Sequence, residues 1–590
     1  MRVRGVVMEN GQKTLNDLFD GKKIFKVPEY QRAYAWGDKQ LSDFIDDFKN
    51  QKLNKDYFFG TILFQETGKR GAYDIIEIVD GQQRITTLII FLNSLLSLLT
   101  DCDKDTKELY LETYIKYKTA YKLEVLSEDN EFFSTYILEN NDLPPDIIST
   151  PAQKKLLSAK KYFDAILESE FTQTQLKEIL QKVENTKVLT YSVQDKSEAT
   201  LIFETTNDRG KQLTNLEKTK SFMMYKTYIV SDEPEALLSN IQSRFSEIYK
   251  AYSNIDDVID ENAILQYNFI AYEEWKVTQQ RKEYQIYMEM MKDKVNELIK
   301  NDKKNETLKY LDGYTKNLRE TFSVMENILK SDLEEIMDIQ VLGNMANFYP
   351  LLIKAYRFDG SEHKLKFKKV CRLIEIFSFR VYSILGGMAN KGQSRLYTLA
   401  KEFNGDYDQL FSDLKIAIKD FSSDKDFVEA LGDSEFFLNY SSTIRNYFFW
   451  KYENYLRDSE QPVAAPIPHS VFRTQNKRYK FSIEHILPQN PKEDDLKIIT
   501  SKLKHEKINE SFVETYLHSI GNLTIDPISA NASKGNADIK VKNTAYFKKA
   551  PFKTQNELEG FLDNGKWTHK AIKARKEKLI SFAKQTWCNY

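Results

Sequence analysis

The stretch Tyr73–Thr100, YDIIEIVDGQQRITTLIIFLNSLLSLLT, reads as a strand that passes through a polar turn directly into a buried helix. Tyr73 to Val79 is short and rich in aromatic and β-branched residues, the composition of a strand. Ile85 to Thr100 is apolar nearly all round, too short for a bilayer and interrupted by Asn93 and Ser94, so it predicts a core helix. Between them stand Asp80, Gly81, Gln82, Gln83 and Arg84. A helix N-terminus offers unpaired N–H groups and a partial positive charge. There Gly81 would let the backbone approach an anion, and Arg84 would grip a phosphate with both arms. Asp80 is placed for metal or water, and Gln82 and Gln83 for donating hydrogen bonds. The same pattern also suits a plain capped helix start.

Outward from this stretch, Tyr57 to Phe64 (YFFGTILF) is a second strand, and the turn-like TGKRGA between them predicts a hairpin. Val188 to Val193 (VLTYSV) is another strand candidate. Val27 to Trp36 (VPEYQRAYAW) sets Gln31 and Arg32 among aromatics, and Phe203 to Leu213 (FETTNDRGKQL) brings Asn207 and Arg209 beside a glycine. A helix capped by the box Thr214-x-x-Glu217 follows. Three Arg/Gln/Asn clusters at loop–helix junctions exceed the needs of a core. They single out Gln31, Arg32, Asp80, Gly81, Gln82, Gln83, Arg84, Asn207 and Arg209 as candidate ligand-binding residues. No G-x-x-x-x-G-K-[ST] loop occurs in the chain. Tyr30, Tyr34 and Trp36 would either line a reading pocket or fill the core.

From about residue 220 to 460 the pattern turns mostly helical, with amphipathic runs at Leu333–Tyr356 and Phe367–Leu385 and no fixed-period repeat. Gln461 to Pro468 (QPVAAPIP) carries three prolines and predicts an extended connector. The expected division is 1–225, a helical connector at 226–460, a linker at 461–468 and a C-terminal module at 469–590. That module holds 22 Lys and Arg against 13 Asp and Glu, a net of +9, which leaves −11 for the rest of the chain. On charge alone this suits either polyanion contact at the C-terminal end or a plain solvated Lys-rich helix. Three scattered cysteines exclude a disulfide framework and a Cys-x-x-Cys zinc knuckle. With no apolar leader in MRVRGVVMENGQ, a cytoplasmic protein away from membranes is expected.

In the basic module, Phe481 to Pro488 (FSIEHILP) is strand-like and sets Glu484 beside His485. Gly521 to Ile525 (GNLTI) follows, then Asn531 and Lys534. Neighbouring strand residues point to opposite faces, so His485 would face a phosphate while Glu484 reaches a metal behind it. Phosphodiester hydrolysis needs a base for water and a cation for the developing charge. A neutral imidazole is the first. A carboxylate and an amide oxygen, Glu484 and Asn531, suit Mg²⁺ or another divalent metal. Asn522 would fix the histidine tautomer. His505 and His518 read as surface residues. Trp567, Arg575 and Trp587 are placed in a Lys-rich C-terminal helix, where the tryptophans would pack on the core. Lys534, Lys573, Arg575, Lys576 and Lys578 would contact DNA phosphates.

E-H-I-x-P, G-N-L-T, Asn531 and Lys534 in this order and spacing resemble the HNH ββα-metal nuclease fold in its cysteine-free form. The resemblance implies His485 as general base, Asn522 as orienting residue, and Glu484 and Asn531 as metal ligands. The first ligand is Glu where Asp is common, and the last motif letter is Asn rather than His. V-P-x-Y-Q-R, D-G-Q-Q-R and N-x-R-G-x-x-L resemble the ParB-like N-terminal domain of GmrSD-type restriction enzymes, relatives of the phosphorothioate-sensing Ssp nuclease. That resemblance covers about residues 10–225 and 470–590. It implies NTP binding and hydrolysis, GTP among the candidates, in a nucleotide cradle of Gln31, Arg32, Asp80, Gly81, Gln82, Gln83, Arg84, Asn207 and Arg209 that serves in place of a P-loop, with Asp80 catalytic, coupled to cleavage of phage or modified DNA.

The expected molecule is an α+β multidomain protein: a ParB-like α/β domain, a long helical middle and a C-terminal HNH domain. The expected function is a nucleotide-regulated, metal-dependent DNA endonuclease of anti-phage restriction. A nucleotide-dependent DNA-binding switch with a degenerate HNH domain is the alternative, and an RNA-directed nuclease a third reading. Homo-oligomer formation stays open.

Overall fold

A computed structural model describes residues 11–29, 31–50, 58–144, 147–192, 214–273, 285–459, 464–473, 481–491, 493–506, 508, 511–527 and 550–590. The predicted hairpin is present and longer than the sequence suggests. Strand β3 (Phe58–Arg70) and strand β4 (Tyr73–Asp80) pair antiparallel through a tight turn in which Gly71 takes a φ of +61°. Register shifts beside Leu63 and Glu66 bend the ladder.

Four more strands complete the sheet: β1 (Gly11–Thr14), β2 (Lys23–Lys26), β7 (Leu123–Glu124) and β8 (Lys187–Ser192), in the order β1-β8-β3-β4-β2-β7. Strands β5 (Lys116–Tyr117) and β6 (Ala120–Tyr121) form a separate small hairpin. β2 runs parallel to β4, and β3 parallel to β8. The Gln82–Leu98 helix follows β4 and is buried along almost its whole length, as its apolar composition requires. It packs on the Pro151–Glu170 helix, where Phe91, Phe163, Phe44 and Phe48 interlock; Phe48 and Phe91 stack at 5.8 Å. Asn93 is tolerated in this core because its amide donates to the carbonyls of Ile137 and Leu138.

The chain divides into two compact units, Met1–Asn268 with Gln280–Glu326 and Phe269–Gln279 with Asn327–Tyr590. The sheet belongs to the first. The second joins helices between Glu334 and Asp458 to a two-stranded ladder, β9 (Phe481–His485) with β10 (Leu523–Pro527), and to the helix His569–Trp587. Helices after residue 327 thus share a core with the basic module and are not a connector apart from it. The reason is visible at Trp587, which stacks on Phe379 at 4.2 Å and donates its indole N–H to the buried Glu375 carboxylate at 2.8 Å. Tyr447 donates to the same oxygen at 2.9 Å.

Residues 464–468 of the proline-rich segment form neither helix nor strand, and the segment is bound down. Trp450 and Asn454 both donate to the Ile467 carbonyl, at 2.9 and 3.0 Å. Leu333–Tyr356 is not one helix: the Glu334–Leu342 helix stops where Gly343 and Asn344 take positive φ, and a new helix starts at Tyr349. Among the described residues no helix is long and apolar enough to cross a membrane.

Candidate functional site

The D-G-Q-Q-R segment sits at the strand-to-helix junction that its sequence predicts. Asp80 closes β4 opposite Leu63, and Gly81, with a φ of +99°, turns the chain into the helix starting at Gln82. Only glycine takes this conformation cheaply, and a Cβ here would also press Ile62 at 3.2 Å. Arg84 lies across the backbone of β3. Its Nη1 donates to the Phe59 carbonyl at 2.9 Å, and its Nη2 stands 3.9 Å from the Asp80 carboxylate. Gly60 makes room for it, since a Cβ on that residue would fall 1.9 Å from Nη1. Asp80 and Arg84 keep 31% and 28% of their side-chain surfaces exposed, so both remain reachable by a ligand.

The glutamines have a different use from the one expected. Gln31 is wholly buried and donates from Nε2 to the carbonyls of Ile78 and Val79, each at 2.5 Å. Gln83 accepts from the Ala35 N–H at 2.8 Å and donates to the Ala33 carbonyl at 3.0 Å. Both clamp the segment around residues 31–35 to β4 and its helix, with Oε1 of Gln31 left buried and without a hydrogen-bond partner among the described residues. Tyr34 is buried with its hydroxyl bonded to Thr87 at 2.8 Å, and Trp36 packs edge-on against Phe44, so both serve the core. Tyr30, Asn207 and Arg209 lie outside the described residues.

Arg32 is buried beside this clamp, where burial lowers its pKa against the opposing charges of Glu217 and Asp80. Arg32, Gln82, Gln83, Thr86 and Asp129 line a small pocket. Asp129 was not legible in the sequence as a site residue. Burial, with Glu128 adding repulsion, pushes its carboxyl up to about 7, and Thr150 donates to it at 2.6 Å.

In the second unit, the register of β9 against β10 sets Glu484 opposite Thr524 and His485 opposite Leu523. The two side chains therefore leave the ladder on opposite faces, as expected. Both are buried, at 7% and 5% exposure. Asp526 shares the Glu484 face and accepts from Gln555 at 2.7 Å. Asn531 and Lys534 lie outside the described residues, and among the described residues no group of three metal-binding side chains forms.

Asn522 is placed beside His485 but acts on the chain around it. Its Oδ1 accepts from the Leu487 N–H and from the Trp567 indole, both at 2.9 Å. Its Nδ2 donates to the carbonyls of Leu487 and Leu517, at 3.1 and 2.9 Å. These four bonds use the full capacity of the amide, so the residue shapes the loop after His485 and does not hold the imidazole itself. Two groups at the ring are Gln489, whose Nε2 lies 3.2 Å from Nδ1, and His518, whose Nδ1 lies 3.3 Å from Nε2. His518, expected at the surface, is a half-buried neighbour of the site; His505 is exposed as expected.

The basic helix also needs correction. Arg575 is fully buried, donating to the carbonyls of Gly521 and Leu523 and facing Glu557, and it cannot reach DNA. Lys576 is half-buried and donates to the Gly432 carbonyl. Lys578 is paired with Glu557 at 2.6 Å, whereas Lys573 is exposed. Trp567 precedes the helix and is buried, and Trp587 ends it.

Residues 15–224 match the GmrSD restriction endonuclease N-terminal domain, and residues 421–582 match the GmrSD restriction endonuclease C-terminal domain. The chain belongs to the GmrSD restriction endonucleases. It is accordingly a DNA endonuclease of restriction type. Both sites of this GmrSD chain fall inside the matched stretches. The C-terminal match begins at residue 421, ahead of the Asp424–Leu431 and Ser442–Asp458 helices, and so agrees with the compact unit that joins them to the β9–β10 ladder. No curated protein matches the chain.

Proposed function

We propose that this GmrSD chain cleaves DNA at an HNH-type, metal-dependent centre on β9 and β10, with His485 as the general base. The observation that carries the reading is the ladder end itself. A carboxylate and an imidazole occupy successive positions of β9, and the loop behind them is held by an amide with no bond to spare. Glu484 is a hard oxygen donor of the kind Mg²⁺ prefers. With Asn531 it would hold a divalent cation, which would neutralise charge on the phosphate and the departing oxygen. His485 would take the proton of the attacking water.

The Asp80–Arg84 junction is the proposed nucleotide site, coupled to cleavage. Its support is a helix N-terminus opened by a left-handed glycine, flanked by a partly exposed Arg84 and by Arg32. Asp80 would position water or a cation on the terminal phosphate of an NTP such as GTP. Phage or modified DNA is the proposed substrate, with exposed Lys573 one contact to its backbone.

The test is nicking of supercoiled plasmid in Mg²⁺, alongside phosphate release from GTP and ATP. His485→Ala should abolish cleavage and spare nucleotide turnover, whereas Asp80→Ala should abolish turnover. Plasmid cutting by His485→Ala with metal present would reject the centre. A wild-type chain that binds DNA but never nicks it would instead support a DNA-binding switch.

A further inference from the structure

The two imidazoles at the end of the β9–β10 ladder face each other, with Nε2 of His485 lying 3.3 Å from Nδ1 of His518. The side-chain amide of Gln489 lies 3.2 Å from Nδ1 of His485, where its nitrogen can donate to an unprotonated Nδ1. A neutral imidazole with an accepting Nδ1 carries its proton on Nε2. In that tautomer the proton would be donated to Nδ1 of His518, 3.3 Å away, and His518 would keep its own proton on Nε2.

The place of His518 is built. Its carbonyl accepts from the Phe437 N–H at 3.0 Å, and its ring stacks on the Phe437 ring at 6.0 Å. The same phenyl ring meets His485 edge-on at 4.3 Å. Phe437 is itself held by Arg445, whose guanidinium covers the ring at 3.9 Å and donates to its carbonyl at 2.6 Å. The Nδ1 atom of His518 is therefore aimed at His485 by packing that involves the backbone on one side and an aromatic plane on the other.

From this geometry we infer that His518 is the positioning residue of the cleavage reaction: it holds the proton of His485 on Nε2 and so leaves Nδ1 as the basic atom. The role assigned by motif to Asn522 falls to a histidine on a different element. The inference rests on the nuclease reading of His485. In the reaction the attacking water would give its proton to Nδ1, in the place now taken by the exposed Gln489 amide. The Nε2 proton would stay where it is, in a bond to His518 that strengthens once the ring is cationic. His518 makes and breaks no covalent bond.

The test uses the full chain with His518→Leu, which removes the acceptor, and His518→Asn, whose Oδ1 can stand near the position of Nδ1 and accept. Single-turnover nicking of supercoiled plasmid in Mg²⁺, plasmid binding and thermal unfolding are measured for both. His518→Leu should cleave ~10²-fold more slowly at unchanged DNA affinity. His518→Asn should restore the rate to within about tenfold of wild type, which a purely packing role would not produce. Long-range ¹⁵N correlation spectra of the six histidines, with His485→Ala giving the assignment, should show His485 protonated on Nε2. Full cleavage by His518→Leu, no rescue by a folded His518→Asn, or a proton on Nδ1 of His485 would each overturn the inference. Cleavage by His485→Ala would reject the nuclease reading instead, and the spectra would still decide the tautomer.

Discussion

The indole of Trp567 and the Leu487 N–H converge on one oxygen of Asn522, each at 2.9 Å, and this oxygen ties the loop after His485 to the segment ahead of the last helix. Asn522→Leu would orphan two buried donors and two carbonyls while filling similar space. It should cost about 2–5 kcal/mol, read as a fall in unfolding midpoint. Trp567→Phe removes only one donor and should cost less. If Asn522→Leu unfolded like wild type, the amide would not be the fastener of this loop.

Arg84 occupies the space that a side chain on Gly60 would fill. Gly60→Ala places a methyl group 1.9 Å from the guanidinium and forces a side chain onto a φ of +107°. Arg84 must leave the Phe59 carbonyl, at a cost of about 1–3 kcal/mol. Nucleotide binding, measured by titration calorimetry with GTP and ATP, should weaken at least as much as in Arg84→Ala. Unchanged binding in both variants would remove Arg84 from the cradle.

Asp129 predicts a pH dependence of stability. Its folded pKa of about 7 lies above its usual value of 3.8, mainly through burial. A carboxyl raised in this way binds its proton more tightly in the folded state, so stability falls as pH rises between those two values and then levels off. Every tenfold gain in proton affinity on folding corresponds to about 1.4 kcal/mol of stability lost across that range. Asp129→Asn, which keeps an acceptor for Thr150, should flatten the midpoint-versus-pH curve between pH 4 and about 7. It should also raise the midpoint at pH 8. A wild-type curve already flat over that range would contradict the raised carboxyl.

The C-terminal helix separates structural from DNA-facing charge. Lys573→Ala should lower the salt dependence of DNA binding by about one counterion and leave the unfolding midpoint unmoved. Arg575→Ala should lower the midpoint sharply, because it leaves the Gly521 and Leu523 carbonyls and Glu557 without their buried cation. The opposite pairing of effects would reverse the assignment.

Strand, turn and helix at 73–98 were legible because their signals are local. The β-branched run, the glycine and the apolar helix each act within a few residues, as do the Thr214–Glu217 capping box and the E-H pair of β9. Arg575 and Lys573 look alike in the string, only two positions apart. Which of them meets water depends on the face of the helix that packs on Gly521.

By itself the sequence determined the order of elements, the family motifs and the residue types of both sites, since periodicity, turn chemistry and motif spacing are properties of neighbouring residues. Tertiary structure alone decided which polar groups are spent. Gln31 and Gln83 bind backbone more than 40 residues away, Asn522 saturates itself on Leu487 and Trp567, and His518 crosses 33 positions to reach His485. The physical reason is that a buried hydrogen-bonding group must find a partner wherever the packed chain supplies one, and that choice is made in space.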